Sequence, residues 1–290
     1  MSPAILSALC CCLPLAEPEA SPGPRVTYRR VIANAPSNAE IVCALGAADR
    51  LVGVSRYVDF PEQLAPLPRV GGLDDPDLET LVALRPDLIL QRGHNPHVER
   101  LCQKNGIRLY QDRTDSLATL DRTIAEIGGL LEREPQADAL RQSIRKRLAA
   151  IRARAPDSRP RVLLAIRAPD RLAPVTTVGQ PSFLTEVIAI AGGESVYADN
   201  PIAYPQIGLE EVIAARPDVI LDVLPGERID AQREQELRAQ WDRLADLPAV
   251  RSGRVHFLTE AHVLVPGPRV VQVAQRFFEL IHPEVIRHEP

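Results

Sequence analysis

Hydrophobic positions along this chain fall into short unbroken runs, separated by stretches in which they recur every three or four residues. Short strand-like runs fall at 30–33, 51–54, 88–90 and 107–110, apolar apart from Arg30 and Arg108, as in strands largely buried in a sheet. Between them lie segments of helical spacing. One runs from Ser37 to Leu45, with Ser37 and Glu40 at the separation of a capping box. Another opens at Asp77-Leu78-Glu79 and stops before Pro86, and a third covers 97–105 and ends at Gly106. Strand and helix in turn predict a parallel sheet covered by helices. The pattern then changes. Ala137, Leu140, Ile144, Leu148 and Ile151 form one stripe on a helix over 134–155, about 30 Å long. Its other face carries Arg141, Arg145, Lys146, Arg152 and Arg154 and reads as solvated surface. After Pro156 the alternation resumes, with strands at 161–166, 219–221 and 255–258 and helices at 183–191, 209–215 and 269–280.

These elements predict an α/β fold of two Rossmann-like lobes with parallel sheets, joined by one long bridging α-helix. The expected divisions are a leader and linker at 1–24, an N-terminal lobe at 25–133, the bridging helix at 134–157 and a C-terminal lobe at 158–290.

A repeat links the two lobes. Residues 78–90 read LETLVALRPDLIL and residues 209–221 read LEEVIAARPDVIL, identical at 8 of 13 positions and 131 residues apart. Each copy is a helix, a turn at Pro86 or Pro217, and a buried strand entered through Asp87 or Asp218. Glu79 and Glu210 occupy the first helical turn of each. The helix dipole accounts for either acid alone, at roughly 0.3–1 kcal/mol. As a pair at one place in both lobes, they match a partner with two-fold symmetry.

Composition narrows the function classes. A net charge of −4 and only 4% aromatic residues offer nucleic acid neither a global attraction nor a stacking surface. The 27 prolines suit many short ordered connections. Of five cysteines, Cys43 and Cys102 fall in apolar helical patterns and are expected to be buried; Cys10, Cys11 and Cys12 are consecutive, and the spacing matches no zinc site or disulfide framework. The apolar run at 4–15 is too short to span a bilayer, and a proline-rich spacer follows it, as in a secretory signal. A cysteine after such a run also fits a lipoprotein signal, so both a periplasmic protein and one lipid-anchored to the outer face of a membrane are expected. The basic stretch that usually opens a signal is missing, which leaves the translation start open. The chain has no P-loop, G-x-S-x-G, HExxH or dinucleotide fingerprint. A binding protein without intrinsic cofactor or catalytic residues is expected, not an enzyme.

Several segments, in order, resemble one family. They are Ala35-Pro36-Ser37-Asn38-Ala39-Glu40-Ile41, Val52-Gly53-Val54-Ser55-Arg56-Tyr57, Val70-Gly71-Gly72 and 78–90 in the first lobe. In the second they are Ala191-Gly192-Gly193-Glu194, Tyr204-Pro205-Gln206-Ile207, Trp241-Asp242-Arg243-Leu244 and Pro266-Gly267-Pro268-Arg269. Over roughly 29–281 the chain resembles the helical-backbone (class III) substrate-binding proteins of ABC importers for cobalamin, iron–siderophores and haem, closest to the cobalamin-binding member. The resemblance implies a ligand cleft between the lobes, modest hinge motion, and docking of one acid per lobe, Glu79 and Glu210, to arginines of a permease dimer.

It further implies cleft loops at 55–60, 71–76, 92–95, 200–206 and 260–265. Aromatic residues of the cobalamin-binding member match Tyr57, Leu73, Gln91 and Tyr204, of which only Tyr57 and Tyr204 are aromatic here. The expected ligand-binding set is Tyr57, Leu73, Arg92, His94, Tyr204 and His262. Arg92 would pair a phosphate or propionate, and His94 or His262 a metal or amide, with His97 nearby. The expected ligand is a metal chelate, cobalamin or a related corrinoid first and a ferric siderophore or haem otherwise, taken up by a monomer with no protein-held metal. A metal-cluster enzyme of similar architecture is the alternative, but it needs cluster-holding cysteines, and Cys43 and Cys102 lie in helical patterns. A cytoplasmic scaffold module is a third reading, favoured if the mature protein is found in the cytosol.

Overall fold

A computed structural model describes residues 27–287 of the 290. The leader, the linker as far as Val26 and the three consecutive cysteines lie outside the described residues.

The first lobe is built on four parallel strands, β1 (Val31–Ala33), β2 (Leu51–Val54), β3 (Leu88–Arg92) and β4 (Arg108–Asp112), in the order β2-β1-β3-β4. The central strands β1 and β3 carry the unbroken apolar runs because both their faces are covered. Helices α1 (Pro36–Ala44), α2 (Leu78–Ala83) and α3 (Pro96–Asn105) make the crossovers. α3 starts on Asn95, whose side chain accepts from the amides of His97 and Val98, and ends at Gly106 in the left-handed conformation that glycine adopts without strain. The capping box expected at Ser37–Glu40 does not form. α1 begins at Pro36, with Ala35 in the cap position, so Ser37 and Glu40 lie inside the helix. Cys102 is buried as expected, but Cys43 is only half-buried.

Helix α4 (Leu117–Leu130), which the pattern reading left out, is capped by a reciprocal Ser116–Thr119 pair. It turns back into α5 (Glu134–Arg154), the long helix expected from the stripe. The two approach closely at Gly128, where a Cβ would sit 2.5 Å from that of Ala137. Ala137, Ile144, Leu148 and Ile151 are buried, while Leu140 is half-buried. A groove of about 700 Å³ remains between α4 and α5, rimmed by Arg141 and Arg145, which both bind Asp121 at 2.7 and 2.6 Å. None of the strand-end loops lines it.

The second lobe follows with β5 (Arg161–Ile166), β6 (Val175–Thr176), α6 (Phe183–Ile190), β7 (Glu194–Ser195), β8 (Gln206–Ile207), α7 (Leu209–Ala215) and β9 (Val219–Val223). Then come α8 (Ala231–Asp242), α9 (Pro248–Arg251), β10 (Val255–Leu258), α10 (Val270–Ile281) and α11 (Pro283–Arg287). Its sheet is mixed rather than parallel. β10, β9, β5 and β7 are parallel, but β6 and β8 extend the sheet antiparallel. Near the carboxyl ends of β5 and β9, Arg167 and Asp222 form a fully buried pair at 2.6 Å. Trp241 adds its indole N–H to Asp222 at 2.8 Å, so this buried carboxylate has the partners that burial demands.

One apolar core runs through both lobes. It passes from Val31 and Leu90 through Ile124, Ile144, Leu148 and Ile151 to Leu164 and Phe277. α5 therefore touches each lobe as a packed wall, against α4 on one side and α6 and α10 on the other.

Candidate functional site

The loops at the carboxyl ends of parallel strands are the usual place for a ligand in open α/β folds. After β2, the amide of Arg56 donates to the carbonyl of Gly71 at 2.8 Å, and its guanidinium binds Asp75 at 2.6 Å. These bonds lay residues 55–60 on residues 71–76. Gly71 has a φ of +87° and faces Asp75 O at a distance that leaves no room for a Cβ. Gly72 is equally restricted, since a Cβ there would be 3.0 Å from the Tyr57 ring. The Tyr57 ring therefore lies over the glycine backbone, 60% exposed, with the Arg56 guanidinium 5.8 Å from its centroid. The loop after β3 joins through Asn95, which donates to the carbonyl of Leu73 at 3.1 Å.

The structure thus brings Tyr57, Leu73 and the 92–95 loop together. Two expected site residues, Arg92 and His94, and the neighbouring His97 have other commitments. Arg92 donates to the carbonyl of Thr114 at 3.1 Å and lies 4.0 Å from Asp115. His94 is paired with Glu99 at 3.0 Å, and His97 contacts Arg100 at 3.3 Å, both along α3. Gln91 is buried and accepts from Asn34 at 2.7 Å, so it belongs to the interior.

In the second lobe, residues 200–206 wrap over Gly179, whose amide donates to the carbonyl of Ala203 at 2.9 Å. Ile202 and Tyr204 stand exposed from this loop. His262 sits in a half-buried 3₁₀ turn after β10. Burial and the Arg269 cation hold its imidazole below the ordinary histidine range, hence neutral at neutral pH. Among the described residues no ring contact joins Tyr57 to Tyr204, and no group of three or more His, Cys, Asp or Glu could hold a metal ion.

What joins the two sets of loops was absent from the expected site. Arg269, just before α10, binds Glu40 of α1 at 2.7 Å across the lobes. The same guanidinium lies 4.2 Å from the ring centroid of Phe60. Burial pushes the Glu40 carboxyl up in pKa and Arg269 pulls it back. Glu40 looked like a cap because it stands three residues after a serine, and Arg269 belonged to a matched segment with no role attached. A pair separated by 229 residues has no local signature.

Tyr57, Phe60, Ile202 and Tyr204 are four of the seven large hydrophobic side chains that the described residues expose. Tyr57 and Phe60 stand on the 55–60 loop of the first lobe, and Ile202 and Tyr204 on the 200–206 loop of the second. Glu79 and Glu210 are exposed in the first turns of α2 and α7, without an ion-pair partner among the described residues.

Comparison with known proteins decides the family. The periplasmic binding protein model matches residues 31–261. The chain belongs to the periplasmic binding protein family. It is 28% identical over 255 residues to the vitamin B12-binding protein of Vibrio parahaemolyticus serotype O3:K6 (strain RIMD 2210633), covering 86% of this chain and 89% of that one. Among solved structures, the periplasmic vitamin B12 binding protein of Vibrio cholerae aligns with a TM-score of 0.74 and 25% identity, over 90% of this chain and 99% of the other. A periplasmic heme binding protein from Pseudomonas aeruginosa aligns at 0.76 and 25%, over 88% and 93%. This periplasmic binding protein thus has the two-lobed architecture of its relatives and serves as a substrate-binding protein for transport. No helix among its described residues is long and apolar enough to cross a membrane.

Proposed function

We propose that this chain is the extracytoplasmic receptor of an ABC importer, and that it takes a corrinoid, cobalamin or a close relative, between its lobes. The observation that carries the reading is the exposure of Tyr57 and Phe60 on a strand-end loop of one lobe and of Ile202 and Tyr204 on a loop of the other, in a fold whose aligned relatives include vitamin B12-binding proteins. A corrin ring offers two broad, weakly polar faces, and such loops cover them without forming bonds that must later be broken at the membrane. Binding of this kind needs no resident metal or cofactor and no catalytic group. Residues 25–133 and 158–290 act as the two jaws, 134–157 as the brace, and the monomer is the working unit.

In this reading Glu79 and Glu210 meet cationic side chains on the two halves of the permease, where carboxylate–guanidinium pairing fixes the orientation. Localisation outside the cytoplasm follows from the family, with 1–24 as leader and Cys10, Cys11 or Cys12 as the point of any lipid attachment. One observation favours haem as a second ligand: a heme binding protein aligns as well, and the neutral imidazole of His262 stands at the cleft. Titration calorimetry against cobalamin, cobinamide, haem and a ferric hydroxamate separates these. Micromolar or tighter corrinoid binding is expected, and exclusive haem or siderophore binding would replace the ligand while keeping the transport role.

A further inference from the structure

The two repeat helices match in what they expose as well as in sequence. Leu81 and Val212 are buried, as are Pro86 and Pro217. Glu79 and Glu210, Val82 and Ile213, and Ala83 and Ala214 are all exposed. Counted from the glutamate, the exposed positions are i, i+3 and i+4, which form one face of a helix. A solvated face is ordinarily polar throughout. Here, in both lobes, it consists of one acid and two apolar residues.

The large exposed hydrophobics sharpen the contrast. Apart from the four on the cleft loops, those of the described residues are Val82, Leu209 and Ile213, all on these two short helices. The fold does not need them there. Burial of Leu81 and Val212 already anchors each helix, and an exposed β-branched residue lowers helix propensity without any compensating contact. Neither Glu79 nor Glu210 has a hydrogen-bond or ion-pair partner among the described residues, whereas neighbouring Glu211 is engaged with the Gly208 amide.

Both faces are also rigidly presented, by the same device. Arg30, entering β1, donates to the carbonyls of Arg85 and Leu84 at 3.0 and 2.7 Å; Arg161, entering β5, donates to that of Ala215 at 3.0 Å. The Asp87 carboxylate accepts from the amides of Arg29 and Arg30, and Asp218 from that of Arg161. Arg85 and Arg216 turn the chain at the equivalent place, with φ of 45° and 44°. Ordering these helices on binding therefore costs little.

We infer that each repeat helix is a two-part docking face, an acid with a β-branched apolar anchor one turn behind it, and that the permease dimer offers two cationic sites, each beside an apolar depression that takes Val82 and Ala83 on one side and Ile213 and Ala214 on the other. The inference rests on the docking role given above to Glu79 and Glu210 and adds the element that holds the complex together once the charges have oriented it. The two contacts are unequal. Leu78 is half-buried while its counterpart Leu209 is 37% exposed, and Ile213, at 46%, offers more surface than Val82 at 39%. The C-terminal face carries more of the affinity.

The test measures binding of receptor variants to a nanodisc-held ABC permease dimer of the same organism, one that the unaltered receptor binds, at low and high salt. Val82→Ser with Ile213→Ser should weaken binding about tenfold or more, mainly through faster dissociation and equally at both salt concentrations. Ile213→Ser alone should lose more than Val82→Ser alone. Glu79→Gln with Glu210→Gln should slow association, with a loss that shrinks at high salt. Melting temperature and cobalamin affinity, read on the same samples, should stay unchanged, and the gentler Val82→Ala with Ile213→Ala substitutes if a serine variant melts early. Unchanged binding by the apolar variants beside a clear loss in the glutamine variants overturns this inference and leaves the docking acids in place. Unchanged binding in both sets removes the docking role itself.

Discussion

Replacing Arg269 by methionine should expose how the lobes are fastened. The guanidinium is 2.7 Å from Glu40, whose side chain is only 2% exposed. Methionine keeps an apolar stem against Phe60 and removes the charge. The carboxylate then has two options. It can stay ionised and unpaired in the interior, which costs about 3–5 kcal/mol. Otherwise it takes up a proton, at about 1.4 kcal/mol for each pH unit between its raised pKa and the buffer. A loss of about 3 kcal/mol near pH 7 follows, equivalent to a melting point about 5 °C lower for a chain of this size. The sign of the pH dependence is fixed. The folded Glu40 carboxyl in the variant binds its proton more tightly than in the unfolded chain. Stability is thus recovered as pH falls toward the ordinary glutamate range and lost as it rises. Glu40→Gln leaves an amide oxygen to accept from Arg269 and should cost about 1 kcal/mol. The double variant should lose less than the sum of the two. Calorimetry and urea melts at about pH 5 and 7 provide the measurement. A melting point within about 1 °C of the original, or an equal loss at both pH values, would refute the charge argument.

Other outcomes follow from the same geometry. Tyr57→Ala combined with Tyr204→Ala should weaken cobalamin by more than about 1 kcal/mol without lowering the melting point, and unchanged affinity in calorimetry would put the ligand elsewhere. Burial and the charges of Arg254, Arg276 and Arg238 pull His256 down from 6.5 to about 4. The unfolded chain thus binds a proton that the folded one refuses, and stability should fall as pH drops through that window. His256→Gln should flatten that slope in stepped-pH urea melts, and an unaltered slope assigns the acid sensitivity to other groups. Arg30→Ala and Arg161→Ala should each remove about 1 kcal/mol of helix-end stabilisation. Hydrogen exchange should quicken at 81–85 in the first and 212–216 in the second, and uniform exchange would deny the cap.

The parts of the fold legible in the sequence share one property: their signal is local and long enough to have a period. The runs that become β1, β3 and β9 are buried on both faces, and the stripe of α5 spans five apolar positions. The repeat showed at the level of letters because both copies meet the same demands. α4 was left out of the pattern reading, and its Gly128 is where α5 comes close. α8 buries only Leu237 and Trp241, too few to mark a face. β6, β7 and β8 are two residues each, so nothing foretold that the second sheet would be mixed. At the site, residue type and loop position pointed to Tyr57 and Tyr204. Polar partners were another matter: Arg92 and His94 looked free because Thr114 and Glu99 could not be seen beside them. The Glu40–Arg269 contact depends on the lobes coming together.

The long helix α5 has a further consequence. A flexible linker is defined by its reach, so a residue more or less matters little. In α5 each added residue would turn everything beyond it by about 100° and shift it by about 1.5 Å. Because the helix is packed against α4 at one end and against α6 and α10 at the other, such a turn would drive Ile144, Leu148 and Ile151 out of their seats. Its length therefore encodes an angle, the bearing of one jaw relative to the other. An insertion that a flexible linker absorbs would be absorbed here only in the turns at the two ends of the helix.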